Sequence, residues 1–338
     1  MKYQNNISVD GLRSGHVQGI AVDKARQYMY YSFTTCLVKT NMEGNIVGIV
    51  KGLVGHLGCI AYCEADGHVY GSLEYKNDGI GRGILHATGC EIEVRDGFYI
   101  AIFDVEKIDR MDMDAEKDDV MTAVYLKEVA DDYTAEGHRY GCSGIDGTTF
   151  APMPGNLESK KYLYVAYGVY EDNHRSDNDH QVILRYDTTD WKKYEKRLVQ
   201  FNMHQSGPEK PDGKYFVYTG NTAYGIQNLE YDPYSGYMFA AVYKGSKEEF
   251  PNYPMFMIDM QHEAEEKPLK GLDEVGETLF LAAKGECDEK TGIYGSRFPY
   301  GATGMISLGE GYFYFSHDRK TEEGYGTTVM LHDYRELI

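Results

Sequence analysis

The chain has 338 residues and is acidic, with 53 Asp and Glu against 34 Lys and Arg and a formal net charge of −19. A phosphate-binding surface needs clustered Lys and Arg, and the sequence shows no such cluster, so we expect no nucleic-acid partner, no anionic membrane partner and no nucleotide cofactor. No apolar run is long enough for a membrane-spanning helix and the first residues carry no hydrophobic signal core, so the predicted location is cytoplasmic.

The predicted elements are short β-strands from the N-terminus onward. Residues 5–12 predict one strand, and a hairpin pattern then recurs along the chain. Each hairpin has a short apolar strand, a tight turn rich in Asp, Gly or Pro, and an aromatic strand. The five hairpins follow Gly19, Cys59, Gly144, Gly225 and Gly304.

A short motif precedes each hairpin. It is Gly-His at 15–16, 55–56 and 137–138, while the versions from Thr222 and Gly301 keep only the Gly-apolar step. Self-similarity of this kind indicates a repeat architecture, in which each repeat buries its apolar face against the next.

Two further strands are predicted behind most hairpins, such as 98–104 with 121–129 and 181–187 with 195–201. Repeated units of four antiparallel strands predict an all-β fold, a five-bladed β-propeller in a single domain. The N-terminal strand 5–12 would close the ring by completing the last blade, which removes the open sheet edges. The only helical candidates are 105–111 and 272–275. The predicted blades are 15–54, 55–136, 137–219, 220–299 and 300–338.

The Gly-His motifs would lie around one mouth of the central channel, because the first strand of each propeller blade lines the channel. His16, His56 and His138 therefore form a candidate triad for a divalent metal ion, with Gln18, Glu74 or His317 as further ligands. A second interpretation stays open, in which each histidine packs at a blade junction and hydrogen-bonds the neighbouring blade.

Carboxyl groups offer a different chemistry at the same mouth. Asp146 and Glu230 lie in predicted first strands and Glu74 ends a second strand, so a pair across the channel would serve as general acid and base. Arg139 is a candidate to hold an acidic substrate. Acidic residues also occur in turns, and that interpretation stays open as well.

Tyrosines and long loops surround the predicted mouth. Tyrosine rings suit the faces and hydroxyls of sugars, although most of the 31 tyrosines are expected to pack between blades. The loops 75–97 and 168–180 are candidate binding loops. The predicted ligand-binding residues are Gln18, Tyr140, Tyr170, Tyr224, Tyr243 and Tyr300.

The repeat of Gly-apolar strand, turn and Tyr-rich strand resembles the propellers of the NHL and gluconolactonase-like group. That resemblance implies the fold over nearly the whole chain. The metal-dependent members of that group coordinate through Glu, Asn and Asp. The oligogalacturonate lyase type of propeller is a closer chemical analogue, since it holds a divalent metal with several His and a Gln, but its blade number differs.

These observations lead to two hypotheses. The first is a cytoplasmic hydrolase or lyase that acts on a carbohydrate or sugar acid, with a divalent metal ion held by His16, His56, His138 and His317. The alternative is a non-catalytic propeller that binds a sugar or a protein through its long loops. Cys36, Cys59 and Cys63 are expected to be small buried residues in a reducing compartment.

Overall fold

The computed structural model describes residues 3–90 and 94–338. Residues 1–2 and residues 91–93, which fall within the predicted loop 75–97, lie outside the described part of the chain. The strand β1 (Asn6–Leu12) comes first and pairs with the last strand of the chain.

The first two blades each contain four antiparallel strands. In the first hairpin, the turn residue Asp23 accepts hydrogen bonds from the backbone N–H groups of Gln27 and Tyr28, which closes the turn. The strands of blade one are β2 (Val17–Val22), β3 (Tyr28–Phe33), β4 (Cys36–Asn41) and β5 (Ile46–Lys51). The strands of blade two are β6 (His56–Tyr62), β7 (Val69–Tyr75), β8 (Gly97–Phe103) and β10 (Met121–Tyr125). Strand β9 (Met113–Asp114) adds in parallel to β5.

Blades three and four are less regular. The strands of blade three are β11 (Cys142–Ala151), β12 (Tyr162–Val169), β13 (His180–Tyr186) and β14 (Gly213–Tyr218). The predicted strand 195–201 is wrong, since this segment contributes only a bridge from Lys196 to Ala123. Blade four has β15 (Thr222–Asp232), β16 (Tyr237–Lys244) and β17 (Met255–Asp259). The connections carry β18 (Glu265–Pro268), β19 (Val275–Thr278), β20 (Glu286–Asp288) and β21 (Ile293–Gly295), of which β18 and β19 extend blade three.

The fifth blade joins the two ends of the chain. Its strands are β22 (Met305–Gly309), β23 (Tyr312–Thr321) and β24 (Gly324–Asp333), and β1 pairs antiparallel with β24 from Asn6 opposite Met330 to Leu12 opposite Tyr325. The predicted closure of the ring by the N-terminal strand is therefore confirmed, and β24 has no open edge along this pairing.

The five inner strands contact one another in cyclic order, β2 with β6, β6 with β11, β11 with β15, β15 with β22 and β22 with β2. The molecule is therefore a five-bladed β-propeller. Glycines make this close approach possible, because a Cβ on Gly19 would lie 2.8 Å from the backbone N of Ile60, and one on Gly147 would lie 2.8 Å from Ile226. The recurring glycines of the sequence are thus packing positions between neighbouring blades.

The core between the blades is aromatic. Tyrosines are prominent among the largest fully buried side chains: Tyr30, Tyr31, Tyr75, Tyr99, Tyr164, Tyr167, Tyr186 and Tyr314. Cys36, Cys59 and Cys63 are buried, as predicted. Aromatic rings fill the wedge between two twisted sheets with a large apolar area per residue, which stabilises each blade contact.

Two short α-helices lie outside the predicted helical positions. Helix α1 (Gly79–Ala87) follows β7 and is capped by the Asp78 carboxylate, which accepts a hydrogen bond from the backbone N–H of Gly81 at 2.8 Å. Helix α2 (Lys127–Thr134) follows β10. Short 3₁₀ turns occur at Arg139–Gly141, Trp191–Lys193 and Tyr334–Glu336. Within the described residues, no helix has the length and apolarity needed to span a membrane.

Ring closure by β1 makes a first testable prediction. Val9 is 3% exposed and faces the apolar cluster between blades five and one. Val9→Asp is expected to lower the free energy of unfolding by on the order of 3–5 kcal/mol, because it buries an unpaired charge. Urea denaturation checks this, with Asn6→Asp on the exposed face of β1 as the matched control. Equal stability of the two variants would contradict closure by this strand.

Candidate functional site

We call the channel end at which the inner strands β2, β6, β11, β15 and β22 begin the top mouth. Its polar side chains come from the first residues of inner strands and the last residues of second strands, which antiparallel pairing brings to the same end. The predicted site residues that the structure brings together here are His16, Gln18, His56, Glu74, Asp146 and Tyr243.

His16 and Gln18 lie at the start of β2. Nε2 of Gln18 is 3.2 Å from Nε2 of His16 and donates a hydrogen bond to Oγ1 of Thr34 at 3.2 Å. Burial lowers the pKa of His16, and the nearby Asp318 carboxylate opposes this lowering. His16 is therefore a neutral imidazole near pH 7, held in place by the Gln18 amide.

His56 and Glu74 are directly opposite each other on β6 and β7. Nδ1 of His56 is 3.7 Å from Oε1 of Glu74 and is buried without a hydrogen-bond partner among the described residues. Burial, together with the charge of Lys76 and the charge that His16 carries once it is protonated, lowers the pKa of His56 to about 3. The top mouth thus holds a second neutral imidazole beside a carboxylate.

A buried ion pair lies directly behind His56. Nζ of Lys76 is 2.5 Å from Oε1 of Glu74 and 3.7 Å from Oδ2 of Asp78, and it donates to the carbonyl of Ser143 at 2.8 Å. Burial lowers the pKa of Lys76, but the two carboxylates outweigh it and the pKa is raised. Burial also raises the pKa of Glu74, against the effect of Lys76.

We take the Glu74 and Lys76 pair as ionised. The second oxygen of Glu74 accepts a hydrogen bond from the backbone N–H of Ile145 at 3.0 Å, so both carboxylate oxygens have donors. This arrangement fixes the carboxylate across the gap between blades two and three. Both Glu74 oxygens are therefore already occupied by hydrogen bonds within the protein.

Asp146 lies in β11 and is a buried carboxyl group of the top mouth. Its side chain is almost fully buried, and Oδ1 accepts one hydrogen bond, from the backbone N–H of Cys59 at 3.1 Å. Burial raises the pKa of Asp146 well above its ordinary value, and the nearby Glu74 carboxylate adds to that effect. Oδ2 has no hydrogen-bond partner in the described ranges. Asp146 therefore holds a proton at pH values where other Asp residues have lost theirs.

Two tyrosines are exposed around the same opening. Tyr243 is the next-to-last residue of β16 and is 36% exposed, and burial with the charges of Asp146 and Asp318 raises its pKa to about 12. Tyr224 is 45% exposed and has a positive φ of 65° at the start of β15. Gln227 donates to the carbonyl of Tyr224 at 3.0 Å. Both rings offer flat apolar surfaces, and that of Tyr243 lies close enough to Asp146 and Asp318 to feel their charges.

Arg139 and Tyr140 are engaged away from the top mouth. Nη2 of Arg139 donates to both carboxylate oxygens of Glu274 at 3.1 Å, and the Tyr140 hydroxyl donates to Oε2 of Glu274 at 2.7 Å. Glu274 precedes β19, in the outer part of blade three. The predicted roles of Arg139 and Tyr140 in catalysis and binding are therefore not supported by a contact with the other site residues.

His138 differs in position from His16 and His56. Strand β11 begins four residues after it, because a 3₁₀ turn (Arg139–Gly141) is inserted, whereas β6 begins at His56 and β2 directly after His16. The His138 ring packs between Tyr133 and Tyr170, with centroids 4.8 and 5.2 Å away. The hydroxyl of Tyr170 donates to Asp78 at 3.1 Å. The histidine of the third Gly-His motif therefore packs against Tyr133 of α2.

His317 belongs to a separate aromatic cluster in blade five. Its ring stacks on Tyr300 with a centroid distance of 3.7 Å, and its Nε2 is 3.3 Å from Nε2 of His332. Nδ1 of His332 is in turn 2.9 Å from the Glu336 carboxylate. The predicted residues Tyr300 and His317 thus contact each other rather than His56 or Asp146.

Glu230 lies at the opposite end of the channel. Its oxygens accept hydrogen bonds from the backbone N–H of Ser307 at 2.9 Å and from Oγ1 of Thr149 at 3.2 Å, which ties blades three, four and five together. It borders a cavity of about 230 Å³ whose rim carries Lys24 and Lys161. Glu230 and Asp146 therefore lie at different ends of the channel and do not form a pair.

The described residues contain no group of three or more His, Cys, Asp and Glu side chains arranged to hold a metal ion. Of the four predicted ligands, His16 and His56 are close enough for the charge of one to affect the other, while His138 and His317 are packed elsewhere. The divalent metal ion stays a prediction.

Sequence reasoning missed three members of the top mouth. These are Lys76, Asp78 and Asp318. Lys76 follows Glu74 by two residues, directly after the end of β7, and the alternation of an extended chain places such residues on one face. That spacing would have identified Lys76 as the partner of Glu74. Asp318 adjoins the predicted His317, and the alternation of side chains along β23 directs the two to opposite sides.

Neither a protein-family model nor a curated protein matches the sequence. Among solved structures, the chain is similar to the Dos1 propeller, with a TM-score of 0.36 and 12% identity over 95% of this chain and 55% of that chain. It is also similar to the holo PQQ domain of pyranose dehydrogenase from Coprinopsis cinerea, with a TM-score of 0.38 and 9% identity over 92% and 81% of the two chains. The chain spans about half the length of the Dos1 chain. Similarity at this level does not indicate a function.

Proposed function

We propose that the protein is an enzyme that carries out acid–base chemistry on a carbohydrate or sugar acid at the top mouth, as a hydrolase or a lyase. The observation that carries this proposal is Asp146, a carboxyl group buried in the channel wall with a single hydrogen-bond donor and a raised pKa. A carboxylic acid whose pKa is raised by burial keeps its proton to higher pH than an ordinary Asp, and it is therefore suited to protonate a leaving group.

His16 is the proposed general base. Its imidazole is neutral, and the Asp318 carboxylate supports the imidazolium that forms when His16 accepts a proton. His56 is less suited to this role, because Lys76 and burial lower its pKa to about 3. His56, Glu74 and Lys76 instead form a fixed polar wall that orients the substrate.

Each reaction type has a balanced proton route. In hydrolysis, Asp146 protonates the glycosidic oxygen as its bond to the anomeric carbon breaks, and His16 takes a proton from the water that adds to that carbon. In elimination, His16 removes the proton next to the uronate carboxyl group, a carbon–carbon double bond forms, and Asp146 protonates the departing oxygen. Both routes use the same pair of groups.

Tyr224 and Tyr243 support the choice of a sugar. Both rings are more than a third exposed at the opening, at 45% and 36%, beside polar side chains that suit hydroxyl groups. Exposed aromatic faces together with hydrogen-bonding groups are the usual composition of sugar-binding sites.

A product-based screen tests the proposal. The purified protein is incubated with oligogalacturonates, neutral oligosaccharides and aryl glycosides. New reducing ends without a new ultraviolet absorbance indicate hydrolysis, and absorbance from a conjugated double bond indicates elimination. We expect one of the two signals, and the absence of both over the whole panel would count against the proposal.

The alternative function is non-catalytic binding of a sugar or a protein at the top face. The exposure of Tyr224 supports it, while the loop 168–180 is braced internally, for example by Arg175, which donates to the carbonyl of His138 at 3.0 Å. A binding protein would keep its ligand affinity in Asp146→Asn and would release no product.

Chelation separates the acid–base proposal from the predicted metal site. We expect purified protein treated with EDTA to keep its melting temperature and activity, because Asp146 and His16 supply the proton transfers. A melting temperature that falls by several degrees and recovers with one divalent ion would instead support a metal site. His16→Ala and His56→Ala would then remove that response, and His317→Ala serves as the control.

We also propose a cytoplasmic location and a small-molecule partner without nucleic-acid or membrane contacts. The support is the net charge of −19 and the burial of Cys36, Cys59 and Cys63 as thiols, which suits a reducing compartment. Fractionation of cells that express the tagged protein tests the location.

A further inference from the structure

A large cleft lies on the top face between blade one and helix α1. Its volume is about 760 Å³, within the range of about 300–1,000 Å³ that is usual for small-molecule sites. The apolar side chains that line it are Leu12, Ile49, Leu53, Val54, Ile80 and Ile84. Most of these are buried from the bulk, but Ile80 is 39% exposed and presents its surface to the open cleft.

The helix side of this cleft carries two glycines beside Ile80 and Ile84. Gly79 and Gly83 of α1 line it, and a Cβ added to either glycine would meet no atom within 4 Å. Larger side chains at these positions would improve the helix, since Gly costs about 1 kcal/mol relative to Ala. The two glycines therefore leave the cleft open, although larger side chains at these positions would make the helix more stable.

One cation borders the cleft without an ion-pair partner. Arg13 lines the cleft and is exposed, and no carboxylate of residues 3–90 or 94–338 lies within ion-pair distance of it. Lys51, the other cation of the lining, is already paired with Asp112 at 2.7 Å. Arg13 is therefore available to pair with an anionic group that enters the cleft. Arg13 can hold a carboxylate or sulfonate with two parallel hydrogen bonds.

We propose that this cleft binds an amphipathic organic anion, a small molecule with an apolar body that contacts Ile80 and Ile84 and one anionic group that pairs with Arg13. The cleft adjoins the top mouth, because Val54, Ile80 and Ile84 also border the small cavity beside His56 and Glu74. The inference goes beyond the acid–base proposal and does not depend on it.

The test uses 8-anilinonaphthalene-1-sulfonate, an aromatic anion whose fluorescence rises in apolar sites. We expect saturable binding of one probe to the folded protein, with circular dichroism and a cooperative melt showing that the fold is intact. Gly83→Leu fills the cleft and is expected to weaken binding at least tenfold while its melting temperature stays equal or rises. His86→Leu adds the same side chain to α1 away from the cleft and should bind as the wild type does.

Arg13→Gln tests the anionic contact. We expect it to weaken binding several-fold and to remove most of the salt dependence, since the ion pair is the main screened interaction. Asp146→Asn should bind the probe normally, so a failure of the acid–base proposal does not affect this result. Lack of saturable binding, or equal affinity in Gly83→Leu and the wild type, would overturn the site. Equal affinity in Arg13→Gln would overturn the assignment of an anion.

Discussion

Asp146→Asn is expected to lower turnover by roughly 10²–10⁴-fold, which is the usual contribution of a positioned general acid. Asparagine has nearly the same shape as aspartic acid, so its amide oxygen keeps the hydrogen bond from the N–H of Cys59. It has no proton to transfer to a leaving oxygen. The variant also removes a buried ionisable group, so it should fold and be at least as stable as the wild type at neutral pH.

The pH dependence separates a proton donor from a residue that only maintains structure. Because the pKa of Asp146 is raised and the acid must be protonated, wild-type activity should fall as the pH rises through that pKa. The residual activity of Asp146→Asn should lack this alkaline limb. The turnover of Asp146→Asn should be partly restored with substrates that have an activated aryl leaving group, because such a group departs with little protonation.

Glu230→Gln is the matched control for that experiment. It also removes a buried carboxyl group from an inner strand, but at the opposite end of the channel. Turnover in Glu230→Gln should remain within about twofold of the wild type, because distant sites act independently. Similar losses in both variants would show that the effect of Asp146→Asn is structural, and the proposed acid would then be wrong.

The architecture could be predicted because its signals are local and repeated. The Gly-apolar step marks each inner strand, since residues such as Gly19 and Gly304 must let the next inner strand approach. The alternation of residues 6–12 fits an outer strand, and its pairing with β24 follows from the missing strand of the last blade. A repeat fold converts such local patterns into a global prediction.

The helices could not be found in the same way. Helix α1 contains Gly79, Gly81 and Gly83, which by intrinsic propensity argue against a helix. It forms because Asp78 caps it and because Ile84 and Leu85 are buried against the sheet. Tertiary burial therefore decides the structure here, and composition alone does not report it.

The site was predictable only in part for a related reason. His16 and His56 follow the repeat, but the 3₁₀ turn after His138 shifts that motif out of register with β11. A comparison of the motifs by their Gly-His pair alone does not reveal an insertion of a few residues between that pair and the strand. Arg139 gives a further example, because its partner Glu274 is far away in sequence.

A pH-dependent stability is expected at the opposite end of the channel. Burial raises the pKa of Glu230 to about 8, and the hydrogen bonds from Ser307 and Thr149 offset this only in part. In the unfolded chain, the pKa of a glutamate is about 4.3. Between these two values the folded state holds a proton that the unfolded state has lost, so the contribution of Glu230 to stability falls as the pH rises from about 4.3 to about 8.

Glu230→Gln removes this dependence. Its amide still accepts the hydrogen bond from the N–H of Ser307, and no charge has to be buried. We expect the variant to match the wild type near pH 4 and to exceed it at pH 9 by on the order of a few kcal/mol, since each pKa unit corresponds to about 1.4 kcal/mol. Urea denaturation at pH 4, 6 and 9 measures the difference. A gain that is the same at all three values would mean that packing, and not the buried charge, distinguishes the two proteins, because only ionisation makes the difference grow with pH.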